Sequence, residues 1–190
     1  MKKHWFTALL ICTVSVAYGQ AGYKATAYNM VLKGTSNLHA WESKVNEIRT
    51  NATLTFSGGA LKSISALTVE IPVKTIKSAK GKTMDNKTYE ALNADAYPNI
   101  QYKLDRVSGL TQQSAGYDIN AVGNLTIAGT TKKVEMYVKG KVSPDGAITF
   151  SGTTKLKMTD FNIKPPTALM GTLTTGNEVE VVYQVTLKPN

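Results

Sequence analysis

Tyr117-Asp118-Ile119-Asn120-Ala121-Val122-Gly123-Asn124-Leu125-Thr126-Ile127-Ala128-Gly129-Thr130-Thr131-Lys132-Lys133-Val134-Glu135-Met136-Tyr137-Val138 is the stretch that decides the fold. Tyr117, Ile119, Ala121, Gly123, Leu125 and Ile127 make one row, and Val134, Met136, Val138 and Val142 make another beyond Ala128-Gly129-Thr130. Successive side chains of an extended chain point to opposite faces, so this period of two describes a strand with one face buried. Two such rows joined by a short Gly-containing turn predict an antiparallel hairpin.

The same alternation extends in both directions from this hairpin. Ala52, Leu54 and Phe56 share a face of Asn51 to Phe56, and Ile100, Tyr102 and Leu104 share one after Asn99. Val179, Val181, Tyr183, Val185 and Leu187 form the last row. With Tyr23 to Leu32, Leu61 to Val73 and Ile148 to Met158, eight principal strands are predicted, a number that can close a barrel around one ligand. Ser57-Gly58-Gly59, Ser108-Gly109 and Pro144-Asp145-Gly146 read as further reversals. Thr83 to Asn93 breaks the pattern, because Met84, Thr88, Ala91 and Leu92 fall on one helical face before Pro98 bars continuation. Pro165-Pro166 predicts an extended loop, and the apolar triplet Ala168-Leu169-Met170 after it is expected to cover something. The fold class is therefore all-β with one short helix, an eight-stranded antiparallel barrel.

Residues 1–19 read as a signal peptide. Lys2 and Lys3 precede an apolar run from Trp5 to Val16 that is too short to span a bilayer, and Ala17-Tyr18-Gly19 suits cleavage after Gly19. Export to the periplasm or the medium is the expectation. Cys12 is the only cysteine and lacks the small preceding residue of a lipidation signal, so residues 20–190 form one domain without disulfide or thiol chemistry. About 170 residues suffice for one well-buried core. The excess of 22 basic over 13 acidic residues falls from +9 to +7 when Lys2 and Lys3 are removed. The remaining lysines fall singly along the chain, with only short clusters around Lys77 to Lys82 and at Lys132-Lys133, which fits a solvated surface and a transient attraction to anionic membrane rather than nucleic acid.

Beyond residue 19 a single histidine, His39, stands three residues before Glu42. Neither Ser36 nor Ser43 sits on a strand-turn-helix elbow, and no metal-ligand or phosphate-loop spacing occurs, so no catalytic residue, metal or cofactor is expected. Three Asn-x-Thr triplets, at Asn51, Asn86 and Asn124, read as coincidental, since two lie in predicted strands.

Gly34-Thr35-Ser36-Asn37-Leu38-His39-Ala40-Trp41-Glu42 resembles the end of the first strand in the YceI family. Asp95-Ala96-Tyr97-Pro98-Asn99-Ile100, Gly123 through Lys132, and Phe161-Asn162-Ile163-Lys164-Pro165-Pro166 follow in that family's order. The chain departs from it at Ala40, where the family often has Asp, and at Asn162, where Gly is common. The resemblance implies a lipocalin-like periplasmic barrel that binds polyisoprenoid or a similar amphiphilic lipid along its axis. A buried methylene contributes about 0.8 kcal/mol, so a chain of ten or more carbons reaches useful affinity after ordering costs.

Candidate ligand contacts are the large inward positions Tyr28, Met30, Leu32, Leu54, Phe56, Ile100, Tyr102, Leu104, Phe150 and Tyr183. His39 and Trp41 are candidates from the first motif, and Met84, Leu92, Leu169 and Met170 are candidates for a lid. Each inward residue is open to a second reading as packing in a filled core, which would make the chain a structural or stress-response interaction protein. A hydrolase would need His39 within reach of Glu42 and a serine in a cleft. Oligomeric state stays open, a homodimer through a strand edge being one alternative.

Overall fold

The computed structural model describes residues 19–190, except for the side chains of Ala168 and Leu169. Residues 1–18, which hold most of the expected leader and Cys12, lie outside the described residues. In chain order the elements are β1 (Gly19–Ser36), β2 (Trp41–Val45), β3 (Arg49–Ser57), β4 (Ala60–Pro72), β5 (Ile76–Ser78), α1 (Lys82–Ala91), β6 (Asn99–Gln113), β7 (Gly116–Ile127), β8 (Thr130–Val142), β9 (Ile148–Lys157), β10 (Thr167–Ala168) and β11 (Leu173–Pro189).

Eight of these strands pair antiparallel in the order β1-β3-β4-β6-β7-β8-β9-β11, and β11 returns to β1 to close the barrel. The closing seam runs from Tyr23 opposite Pro189 to Ser36 opposite Thr175. Closure leaves no edge among the eight. The short strands are additions at one end: β2 pairs with the far half of β1, β5 with β2, and β10 with the start of β11. Because neighbours are antiparallel, the segments 37–40, 73–98, 128–129 and 158–172 gather at one end of the barrel. Turns 58–59, 114–115 and 143–147 gather at the other.

Bulges tune the alternation. β1 shifts register between Ala25 and Ala27, so the inward set passes from Tyr23 and Ala25 to Tyr28, Met30 and Leu32. At this break the Ala25 N–H donates to Thr50 Oγ1 at 2.7 Å, so the ladder loses a partner without leaving a buried donor unpaired.

Ser108-Gly109 is not a reversal. β6 continues through it to Gln113, with register shifts between Leu104 and Arg106 and between Val107 and Gly109. A strand glycine marks a bulge as readily as a turn, and here it admits the Asn120 side chain, whose Nδ2 would stand 3.0 Å from a Cβ at Gly109. The true turn is Ser114-Ala115. The other predicted reversals stand where expected. Gly129 (φ 77°) follows Ala128 (φ 47°), giving the two positive φ values of a tight hairpin, and Gly146 (φ 78°) closes Ser143 to Ala147. Asn162 adopts the left-handed conformation (φ 58°, ψ 21°), which Gly takes without cost and Asn tolerates better than most residues.

The helix forms one residue earlier than predicted and ends at Ala91. Its place is fixed by two polar groups. Asp85, only 8% exposed, accepts the Ser78 N–H at 2.7 Å and pairs with Lys77 at 3.4 Å. Tyr89 Oη lies 2.8 and 3.1 Å from the Lys74 and Ile76 carbonyls. The helix is thereby pinned to β5 and the turn before it, across the end where β6 begins.

Candidate ligand cavity

The two ends of the barrel are built differently. At the hairpin end the interior is solid: Leu54 and Ile148 have no exposure, and Leu61, Ile119 and Leu187 have 3% or less. Tyr23 and Phe56 pack with ring centroids 5.9 Å apart. The Tyr117 hydroxyl accepts the buried Leu61 N–H at 2.9 Å. These groups form a floor.

Above the floor the axis is open, as a cavity of about 320 Å³. Its walls are almost wholly aliphatic and aromatic, contributed by the inward rows of the barrel strands together with α1 and the segment 158–166. Met84 lines the cavity and is 40% exposed, which marks the mouth beside the helix. At the same end, Phe161 and Ile163 pack on Ile127 with Ala91, Leu92, Ile100 and Leu156, joining the end of the helix to the segment 158–166.

Met30, Leu32, Trp41, Met84, Leu92, Ile100, Tyr102, Leu104, Phe150 and Tyr183 all line this cavity. Thr88 and Ala91 join Met84 and Leu92, so the whole apolar face read from the helix sequence turns inward. Trp41 lies against Gly34 of the paired strand, where a Cβ would overlap its ring, and donates from Nε1 to the Thr35 carbonyl at 3.0 Å.

Several candidates stand elsewhere. Leu54 and Phe56 belong to the floor because they lie beside the Ser57-Gly58-Gly59 hairpin. Tyr28 packs on the core, but its hydroxyl leaves toward the Asn46 carbonyl, at 3.0 Å, instead of the axis. His39 is exposed in the β1–β2 turn. Ser36 Oγ holds that turn by donating to the His39 carbonyl at 2.7 Å and accepting the His39 N–H at 3.1 Å. The described contacts of His39 are therefore made by its backbone. Met170 is fully exposed with φ 55° and does not face the cavity, and the Leu169 side chain lies outside the described residues. Among the described residues no group of three His, Cys, Asp or Glu side chains converges.

Polar groups interrupt the apolar wall from several elements, Ser43 of β2, Thr50 of β3 and Thr175 of β11 among them. Lys87, Thr88, Ser78 and Lys157 approach from elements at the mouth end. Within the barrel, Tyr102, Thr154 and Tyr183 line the cavity, and their hydroxyls are buried without a hydrogen-bond partner among the described residues. Burial pushes the Tyr183 hydroxyl up to about 12 and raises that of Tyr102. The Thr154 hydroxyl tempers the rise at Tyr183, although no hydrogen bond of ordinary geometry joins the two. Thr154 and two glycines were not among the candidates. A Cβ at Gly123 would overlap the Tyr102 phenol, and one at Gly152 would stand 2.5 Å from Tyr183 Oη. The inward row of β9, Phe150-x-Gly152-x-Thr154-x-Leu156, carries the signal that would have found them.

A closed eight-stranded antiparallel barrel with a solid floor and an apolar cavity open beside a short helix is a lipocalin-like architecture. The profile of the YceI-like domain matches residues 24–187, and the chain belongs to that family. No curated protein matches the sequence significantly. Among solved structures, a polyisoprenoid-binding domain from Saccharophagus degradans implicated in plant cell wall breakdown is similar with a TM-score of 0.68 and 11% identity, over 90% of this chain and all (100%) of that one. Burkholderia cenocepacia BcnA gives a TM-score of 0.63 at 18% identity, over 84% of this chain and 95% of that one. A Campylobacter jejuni YceI protein gives 0.53 at 17%, over 100% of this chain and 93% of that one. At such identities the likeness is one of fold.

Proposed function

We propose that this protein is a non-catalytic carrier or reservoir for an isoprenoid-type lipid, polyprenyl or quinone-like, held reversibly in the barrel. The observation that carries this reading is the cavity of about 320 Å³ with a nearly continuous apolar wall and a single solid end. A long apolar chain asks only for such a wall, and its burial contributes about 0.8 kcal/mol per methylene. Met30, Leu32, Ile100, Leu104 and Phe150 supply the wall, with Trp41, Met84 and Leu92 nearer the mouth. The polyisoprenoid-binding domain of the same fold supports this ligand class.

In this reading the leader delivers the protein to the periplasm or the medium, so the purified native chain should begin at Gln20. Loading then takes place at a membrane surface, which the mouth meets with exposed Met84 and the lysines around it. Flotation with vesicles containing anionic lipid should recover a salt-sensitive bound fraction.

The central test is gentle extraction from the native host, followed by native mass spectrometry and lipid analysis. An amphiphile with an isoprenoid chain should travel with the protein. If repeated preparations carry none, and none binds when it is offered, the carrier reading fails.

A further inference from the structure

We propose that the mouth end of the barrel carries a membrane-insertion wedge: Leu38 and Met170, on two hairpin tips laced together, enter an anionic bilayer while exposed lysines at the same end meet its phosphates. This rests on the carrier reading and deepens it by naming the side chains that engage the membrane.

Five large apolar side chains are well exposed among the described residues, namely Leu38, Met84, Tyr97, Tyr137 and Met170. Single exposed apolar residues are ordinary on a protein surface, so their number decides little. Their distribution does. Leu38, Met84, Tyr97 and Met170 all lie in the segments gathered at the mouth end, Tyr137 lies on the wall in β8, and the three turns at the floor end carry none. Apolar side chains collected around the opening of an apolar cavity point to a partner met mouth first.

Leu38 and Met170 are the most exposed of the four, Leu38 at 67% and Met170 fully. They occupy the tips of neighbouring hairpins, β1 and β2 turning through 37–40, β10 and β11 through 169–172. Asn37 ties the two tips. Its N–H donates to the Thr174 carbonyl at 3.1 Å, its Nδ2 donates to the Thr172 carbonyl at 2.7 Å, and its Oδ1 accepts the Thr174 N–H at 3.0 Å. Ser36 Oγ accepts the Leu38 and His39 N–H groups at 3.3 and 3.1 Å, so Leu38 is displayed on a fastened turn. Met170 is displayed at a conformational cost, since its φ of 55° is left-handed backbone that a residue without the short polar side chain of Asn or Asp seldom adopts.

The charge at this end favours an anionic surface. Between Val73 and Pro98 five lysines stand against three acidic residues, and each acid is already paired: Asp85 with Lys77, Glu90 with Lys87 and Asp95 with Lys74. Lys80 and Lys82 are exposed and make no ion pair among the described residues. Lys157 and Lys164 are exposed too, with Asp160 the one acidic residue in 157–172, and Glu42 beside the first tip stands opposite Lys33. A protein partner would call for a continuous apolar core to the contact, whereas these side chains rise from separate segments around an opening. A fluid interface accommodates that spacing, because it takes apolar side chains to the acyl boundary and leaves lysine amines at the phosphates.

The test is flotation of parent and variant chains with vesicles of phosphatidylcholine, alone or mixed in equal parts with phosphatidylglycerol, at low and high salt. The parent should float with the anionic vesicles, and high salt should lower that binding without abolishing it, because screening removes the lysine contribution and not the apolar one. Leu38→Ser and Met170→Asn should each lower the salt-resistant binding about three- to ten-fold, and the pair more; Asn tolerates the left-handed backbone at that position. Lys80→Gln with Lys82→Gln should lower only the salt-sensitive part, and Tyr137→Ser on the wall should float as the parent does. Met170→Trp should keep floating, with its added emission quenched by lipids brominated on their acyl chains. All the variants should keep the parent's melting temperature and its affinity for geranylgeraniol offered in detergent.

Parent binding that high salt removes entirely, or a double variant that floats as well as the parent, overturns the wedge. So does an oligomer that dissociates in Leu38→Ser and Met170→Asn while vesicles capture nothing, which assigns this face to a second copy of the chain. Geranylgeraniol affinity that survives in those cases leaves the carrier reading standing. When instead the parent neither brings an isoprenoid lipid from its host nor binds geranylgeraniol, the carrier reading fails, whatever the vesicles show.

Discussion

The backbone N–H of Leu61 donates to the hydroxyl of Tyr117 at 2.9 Å, so the start of β4 is tied across the barrel floor to β7 by a buried hydrogen bond. The bond serves the floor and not the cavity, which Tyr117 does not line. Tyr117→Phe keeps the ring but leaves the Leu61 N–H buried without its acceptor, at a cost of about 1–3 kcal/mol. Urea denaturation should show that loss, while lipid affinity stays within about two-fold of the parent protein. A matching drop in affinity would mean that the floor and the cavity are not separable.

Gly152 offers a contrasting case, because its neighbour Tyr183 does line the cavity. A methyl group there would meet Tyr183 Oη at 2.5 Å and the Tyr137 carbonyl at 3.0 Å, and the second contact is backbone that cannot swing aside. Gly152→Ala should therefore destabilise by about 1–3 kcal/mol through overpacking and weaken lipid binding as Tyr183 is displaced. Adding Tyr183→Ala removes one of the two clashes, so the double variant should cost less than the sum of the single ones. Strict additivity of the melting data would show that the contact carries no strain.

The barrel was legible wherever alternation was unbroken. The β7 and β8 rows and the last row from Val179 to Leu187 kept one parity, and the strands followed. Ser108-Gly109 was misread because a bulge and a turn draw on the same residues, and only the pairing of β6 with β7 separates them. Leu54 and Phe56 read as ligand wall because alternation reports which face is inward but not how far along the axis a residue sits. Depth depends on the barrel stagger, and that is fixed by pairing between strands distant in sequence. Thr154 and the glycines opposite the tyrosines were passed over for a related reason. A small or polar inward residue looks like a defect in an apolar row until the side chain it receives is known.

Acid should weaken the fold through three exposed carboxylates. A hydrogen-bonded lysine is the main cause in each case: Lys188 holds Asp145, Lys133 holds Asp105 and Lys74 holds Asp95 below the ordinary aspartate value of 3.8. A group more acidic in the folded than in the unfolded chain stabilises fully above its unfolded value and loses that contribution as pH falls through the folded one. The urea midpoint should thus hold steady down to pH about 4 as far as these groups are concerned, then fall below it. Because the pairs are at the surface, 0.5 M salt, used to shorten the screening length to roughly 4 Å, should shrink the drop. Lys188→Met should remove part of it. A midpoint that ignores salt below pH about 4 would place the acid sensitivity in buried groups instead.

Asp85 links the stability of the mouth to the rate at which ligand leaves. Its carboxylate accepts the Ser78 N–H at 2.7 Å, and the helix it anchors carries Met84, Thr88, Ala91 and Leu92 on the cavity. In Asp85→Ala that N–H loses its acceptor, at about 1–3 kcal/mol, and α1 loosens from β5. The Lys77 pair is half-exposed and worth less, so Lys77→Met should change stability by no more than about 1 kcal/mol. Trp41 lines the cavity and is the sole tryptophan once residues 1–19 are removed, so its emission can follow ligand release in a stopped-flow mixing experiment. Asp85→Ala should release lipid several-fold faster, with a smaller change in the association rate, whereas Lys77→Met should behave nearly as the parent. If Asp85→Ala lowers the melting temperature but leaves the release rate unchanged, ligand does not pass the helix.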